Sequence, residues 1–465
     1  MTRAPWGRPA TVSARVAAAL AVMLAAGCAT TAPQPGPAAD DCLVTDLPAA
    51  GSVRIAAPGT IEPRNAPVPS NGAEQLVFAQ LYDTLVRTDC HGTPLPGLAA
   101  SWSASPDRTT WHFRLREGVS FTDGTALDAR TAAEALTLAH HAPSFAAVSA
   151  SGERDLHLVL HRPRDAAFFA QPALALTRAG ASVAVSWPSG TGAYRPEAGE
   201  GSLRLVLRQP VGGAPDTLHV LRTSASDPRG ALDARADLLL TASAAAIEYA
   251  RLLESYTVAP LPWARTYALV VRARPDATLP VPSNAERAEL ARAAASVGTR
   301  AASDTAPGWC HAGTPPDFRS PGTSTVIAWL RGDDIARGIA ERIAALSWPP
   351  ARAPEWLQAQ RVASGVSAAR ATGSEGPLTA RALDIARLLE EMRAGRGAMF
   401  IVPLHRCADA DPVYAAIAQS RLHATPLVDA RDHLVHRDSV GTIAIDGSGA
   451  LRFGVRPGVR PGVQP

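Results

Sequence analysis

The fold class predicted by the sequence is α/β, built in at least two compact lobes, and three observations lead there. The chain has 465 residues, beyond the ~250–300 at which a single core stops growing. Its body opens with an alternating strand from Ser52 to Ala57, followed by a helical pattern from Gly72 to Val86. Beyond a Val-rich strand at Tyr267 to Arg272 the pattern changes. Helices at Asn284 to Ala295, Asp334 to Leu346 and Leu383 to Met392 alternate with strands at Thr325 to Leu330 and Ala398 to Pro403, a second α/β set with its own core. Hydrophobic residues at 46% and charged residues at 19% are globular proportions, while 40 prolines and 36 glycines argue against a coiled coil or a simple bundle.

The N-terminus has its own logic. Arg3, Arg8 and Arg15 precede an apolar run from Val16 to Leu24, followed by Ala25-Ala26-Gly27-Cys28. The run is about half the ~20 residues of a membrane-spanning helix and reads as a signal peptide. It resembles a bacterial lipoprotein signal, which makes Cys28 the lipid-bearing first residue of the mature chain. Thr30 to Asp41 is proline-rich and lacks aromatic anchors, as a tether would. Residues 1–27 are therefore expected as signal and 28–50 as lipid anchor and tether. All 45 basic residues are arginine, which excludes chemistries that need a phosphate-loop, Schiff-base or kinase lysine or a Ser-x-x-Lys centre. Removal of the signal takes three arginines and no acids, leaving the formal charge balanced and nucleic-acid binding without an electrostatic driver.

Export places Cys42, Cys90, Cys310 and Cys407 in an oxidising compartment. Three pairings are open to them, and spacing favours Cys42–Cys90 with Cys310–Cys407. No Cys-x-x-Cys or helical His-x-x-x-His accompanies them, so neither metal nor cofactor is expected. His157 and His161 share a strand, where four residues span ~13 Å, too far for one ion.

A strand-rich subregion is expected over about 86–170. Thr109 to Leu115 and Asp155 to Leu160 alternate apolar with polar, and Asp128 to Leu138 reads as a helix between them. Trp102, Trp111, Phe113 and Leu115 belong to one packed face, with Arg114 and Arg116 opposite in ion pairs. Leu203 to Leu207 and Asp216 to Arg222 read as paired strands. The expected division is lobe 1 over 51–262, lobe 2 over 263–425, a return to lobe 1 over 426–454, and a loose tail over 455–465.

Residues Gly72 to Leu138 carry a dense series: Gln80-Leu81-Tyr82-Asp83-Thr84-Leu85, Pro96-Gly97-Leu98-Ala99-Ala100-Ser101-Trp102, Phe113-Arg114-Leu115-Arg116-Glu117-Gly118-Val119, and Phe121-Thr122-Asp123-Gly124. Gly190-Thr191-Gly192-Ala193-Tyr194 follows. This series resembles the family-five bacterial extracellular solute-binding proteins, the dipeptide, oligopeptide and nickel receptors of ABC importers, over about Val53 to Leu269. Two departures stand out. Arg208-Gln209-Pro210-Val211-Gly212-Gly213 occupies the place of the family's Asn-Pro-Xaa-Tyr-Trp stretch, and the insert usual in the peptide-binding subdomain is short.

The resemblance implies a two-lobed class II periplasmic-binding-protein-like fold with mixed sheets, a hinge and an interlobe cleft. It places the glycine turn near that cleft, and it implies a receptor rather than an enzyme. The chain is then expected as a monomeric lipoprotein in the cell envelope, facing the periplasm or the exterior, that captures a peptide or other small molecule and delivers it to ABC permease subunits. Candidate ligand-binding residues are Tyr194 beside the glycine turn, and Trp263, Arg265 and Tyr267 where the chain passes between lobes. A guanidinium at Arg265 can pair bidentately with a peptide carboxylate. Trp309 and His405, beside the second-lobe cysteines, are weaker candidates. Alternatives are a binding-fold lipoprotein with an envelope or sensory role, and an exported hydrolase. The second lacks Gly-x-Ser-x-Gly, His-Glu-x-x-His and Ser-x-x-Lys.

Overall fold

The computed structural model describes residues 42–138, 144–178, 187–199, 202–223, 227–263, 265–272, 280–294, 298–302, 326–331, 333–347, 353–363, 378–394, 398–405, 417 and 422–454. Two large sheets organise them. The first has seven strands in the spatial order Thr257–Pro260, His433–His436, Leu238–Thr241, Ser52–Ala56, Thr217–Leu221, Ser202–Leu207 and Tyr194–Gly199. Ser52–Ala56 runs parallel to both neighbours, so both its faces are covered. Val53, Ile55, Leu218 and Leu238 join one core with the helix Gly72–Leu81. Asn71 caps that helix, its side chain accepting from the amides of Ala73 and Glu74.

The helix ends at Leu81, short of the expected Val86, because other backbone occupies its path. Gly192 N donates to Leu81 O at 3.0 Å and Leu98 N to Thr84 O at 2.9 Å. A Cβ at Gly190 or Gly192 would collide with the carbonyl oxygens of Leu81 and Gln80, so only glycine permits this approach.

The strand-rich subregion is an antiparallel sheet ordered Ala99–Ala104, Thr110–Leu115, Asp155–Leu160 and Phe145–Ser151. Trp111, Phe113 and Leu115 are buried on one face with Phe121, Phe169 and the helix Ala129–Leu138, and Trp102 packs partly buried beside them. Phe169 meets both Trp111 and Phe113 edge-on, at 5.0 and 4.8 Å between centroids. Arg114 faces the other way and pairs with Asp155 at 3.3 Å, while Arg116 donates to Pro96 O at 3.4 Å.

The second large sheet has six strands, in the order Thr299–Ala301, Leu422–Ala430, Arg265–Arg272, Ala398–His405, Val326–Leu330 and Thr379–Leu383. Helices Asn284–Ala293 and Asp334–Leu346 cover one face through Leu290, Ile335, Ile339 and Ile343. Helix Ile385–Ala394 covers the other through Leu388, Leu389 and Met392. Helix Glu355–Ala363, which the sequence analysis did not anticipate, adds Trp356 and Leu357 to the first core.

Two boundaries differ from expectation. Leu43–Ala49, expected as tether, is a strand antiparallel to Val440–Ile445, which also pairs with Leu451–Phe453. The strand Val440–Ile445 is buried along its whole length and requires a partner for its free edge. The return to lobe 1 comes after Ala430 rather than at 426, because Leu422–Ala430 is an inner strand of the lobe 2 sheet. Pro426 falls where the ladder shifts register between Tyr267 and Ala268, which accommodates its missing donor. Cys42 and Cys90 form a disulfide that ties the start of the body to the Val86–Pro96 hairpin. Closing a loop of that length contributes about 4 kcal/mol in the chain-entropy picture. Cys28, Trp309, Cys310 and Cys407 lie outside the described residues.

Candidate functional site at the interlobe hinge

Among the described residues two crossings join the large sheets: one between Pro260 and Arg265, the other between Ala430 and His433. They lie side by side. Leu261 N donates to Asp432 O at 3.0 Å, and Arg265 Nη2 meets Asp432 Oδ1 at 2.6 Å. Trp263 in the first crossing carries two guanidiniums against its ring, Arg300 of lobe 2 at 4.1 Å and Arg431 of the second crossing at 4.5 Å. Two cations on one indole repel each other. Asp429 offsets this, holding Arg300 Nε at 3.1 Å while accepting from Thr266 Oγ1 at 2.8 Å. Gly298 supports the second crossing: its carbonyl accepts from Arg431 N at 2.9 Å, and a side chain there would strike Arg431 O.

Charge is matched closely in this cluster. Burial works against the Arg265 cation, but the fields of Asp432, Tyr267 and Asp333 outweigh it and lift its pKa above the ordinary value. Tyr267 Oη donates to both carboxylate oxygens of Asp333 at 3.0 Å, and burial followed by the Asp333 charge raises that phenol's pKa. Asp333 also caps helix Asp334–Leu346 through Ala336 N at 2.9 Å. Burial nevertheless raises its own pKa above the usual carboxylate range, against that hydrogen bond and the charge of Arg265. His433, 3% exposed, follows the second crossing directly. Burial first, then Arg431, lowers its pKa, with Asp432 opposing and Arg251 adding to the fall.

Three of the four sequence-derived ligand candidates, Trp263, Arg265 and Tyr267, thus come together at the hinge, already engaged with Arg300, Arg431, Asp432 and Asp333. Tyr194 does not join them. Its strand is at the far edge of the seven-stranded sheet from Thr257–Pro260, six spacings or roughly 29 Å away, and its fully buried hydroxyl donates to Pro215 O at 2.8 Å. The glycine turn before it packs on the end of helix Gly72–Leu81 inside lobe 1. The residues missed by sequence reasoning are Asp429, Arg431, Asp432, Arg300 and Asp333. The alternating charges of Asp429-Ala430-Arg431-Asp432 at a strand end were the available signal.

The sequence profile of "Bacterial extracellular solute-binding proteins, family 5 Middle" matches residues 93–206. Over that middle segment the chain is similar to the family-5 solute-binding proteins. The nickel-binding periplasmic protein of Escherichia coli (strain K12) is 45% identical over 60 residues, 12% of each chain. A probable peptide ABC transporter periplasmic-binding protein of Sinorhizobium fredii is 36% identical over 58 residues, 12% of this chain and 11% of that one. The aligned segments thus span about an eighth of those relatives' lengths. Likeness of fold extends much further. NikA from Brucella suis in complex with Fe(III)-EDTA superposes with a TM-score of 0.59 at 15% identity, over 88% of this chain and 99% of that one. The dipeptide-binding protein of Pseudoalteromonas sp. SM9913 in complex with Met-Leu gives 0.58 at 15% identity, over 87% and 99%. The fold is therefore the two-lobed class II arrangement, and its large sheets mix parallel and antiparallel strands.

Two predictions follow from the hinge. Asp432→Asn leaves the Arg265 guanidinium without its carboxylate and is expected to lower unfolding stability by about 2 kcal/mol, measured by urea denaturation. Since His433 has a lowered folded-state pKa, its contribution is complete above the ordinary imidazole value of about 6.5 and is lost as pH falls toward the folded value. His433→Gln is therefore expected to flatten the decline in unfolding free energy between pH 7 and pH 5, and an unchanged slope would refute that assignment.

Proposed function

We propose that this chain is the substrate-binding lipoprotein of an ABC importer, anchored in the cell envelope through lipid on Cys28, that captures a small solute, a peptide, by closing its lobes. The carrying observation is the pair of short crossings held side by side by Arg265, Asp432 and Trp263. Domain closure requires a few connecting residues to take up the backbone rotation while each lobe moves as a packed body. Each lobe here has its own core. The described residues offer a charged, aromatic hinge and a family-5 framework, which suits reversible binding in which the guest leaves unchanged.

Within this reading Trp263, Arg265 and Tyr267 form the hinge end of the interlobe cleft. The Arg265–Asp432 pair supplies a donor and an acceptor there for a ligand with both charges, as a peptide main chain has. The relatives whose titles name Met-Leu and peptide transport support the peptide assignment, while those naming nickel and Fe(III)-EDTA define the competing solute class. The remaining pairing, Cys310–Cys407, would staple lobe 2.

The test is mass spectrometry of small molecules released by denaturing protein purified from its native envelope, with thermal shifts across peptide and metal-chelate libraries. A reproducible peptide and a matching rise in Tm are expected. An empty protein that no peptide or chelate stabilises would overturn the receptor assignment, and a chelate in place of a peptide would overturn the solute class.

A further inference from the structure

The outer face of the strand-rich sheet carries a cluster that the hinge and its cleft do not use. We propose that His112 and His157, with Asp155 beside them, form a surface site for a divalent transition-metal ion. Strand register brings the two histidines together. Leu115 N donates to Arg154 O and Leu160 N to Thr109 O, which sets the hydrogen-bonded positions of the ladder. His112 and His157, directly opposite, therefore occupy a non-hydrogen-bonded pair, the position where side chains across two strands are closest. Their rings stack with centroids 4.5 Å apart. Their outward neighbours across the ladder are Ser103 and Ser149, small residues that leave the pair open to solvent.

His112 Nε2 is 3.1 Å from Asp155 Oδ1. An ion ~2.1 Å from a nitrogen and an oxygen held at right angles separates those donors by ~3.0 Å. The two donors are thus spaced as on one ion, which they reach once the His112 ring tilts to aim Nε2 at the metal instead of along the line to Asp155. His157 completes the set by turning its ring out of the stack with His112, since its nitrogens do not lie within 4.8 Å of both other donors in the stacked arrangement, and water fills the remaining positions. Arg114, 3.3 Å from Asp155, sets the selectivity. A guanidinium on the only carboxylate repels any cation, so hard oxygen-seeking ions such as Mg2+ gain too little. An ion that bonds strongly to imidazole overcomes the repulsion, in the order Cu2+ above Ni2+ and Zn2+.

The test uses the full mature chain without a histidine tag, stripped with chelator and titrated by calorimetry with Cu2+, Ni2+, Zn2+ and Mg2+. One Cu2+ per chain is expected, with an electron paramagnetic resonance spectrum showing coupling to two nitrogens, and no Mg2+ heat. The His112→Asn/His157→Asn double variant is expected to lose that spectrum and to bind at least about tenfold more weakly, with Tm and the peptide-induced shift unchanged. Asp155→Asn is expected to weaken binding while keeping both nitrogens. Unaltered Cu2+ affinity in the double variant, or no stoichiometric binding by the parent chain, would overturn the site. Both results are independent of whether the cleft holds a peptide.

Discussion

The ion pair of Arg265 with Asp432, closed at 2.6 Å where the two crossings run side by side, sets what the rest of the molecule can do. It joins the first residue of a lobe 2 strand to the residue preceding a lobe 1 strand, so both connections act as one joint instead of two independent linkers. The indole of Trp263 in that joint carries both Arg300 and Arg431 against its ring. Asp432, Asp429 and Asp333 set three negative charges against Arg265, Arg300 and Arg431 in this cluster.

A second joint lies inside lobe 1. The end of helix Gly72–Leu81 receives the glycine turn at Gly190 and Gly192, and the segment just after it, at Thr84 and Leu85, receives Gly97, all by direct backbone contact. Arg208 reaches across to the carbonyls of Gly192 at 3.2 Å and Phe121 at 3.0 Å, and Arg452 pairs with Asp83 at 3.5 Å. The segments that carry the family likeness, Leu-Tyr-Asp, Pro-Gly-Leu-Ala and Gly-Thr-Gly, meet here. At Gly97, Gly190 and Gly192 there is no room for a Cβ against the neighbouring carbonyls. These segments fix the strand-rich sheet to the main body.

This division explains what the sequence disclosed. Elements with strong periodicity were legible: Asp334–Leu346 begins and ends where its apolar spacing predicts, and Trp111, Phe113 and Leu115 are buried on one face as their alternation requires. Contacts between segments far apart in the chain were not. Nothing local to Leu43–Ala49 announces a strand, because its partner Val440–Ile445 lies at the other end of the chain. Arg265 was legible as a candidate cation, whereas its engagement by Asp432 depends on a ladder that only the fold assembles. The His112–His157 pair was hidden for the same reason: along one strand the histidines are too far apart to share an ion, and across the ladder they touch.

If the joint at Arg265 and Asp432 is a hinge, solute binding must change the dimensions of the whole molecule while each lobe keeps its core. Small-angle X-ray scattering on ligand-stripped protein, before and after addition of the solute it releases on denaturation, reads this directly. The account predicts a smaller radius of gyration in the loaded protein, with a narrower pair-distance distribution. Superimposable curves at saturating solute, with binding verified by calorimetry on the same sample, would contradict it.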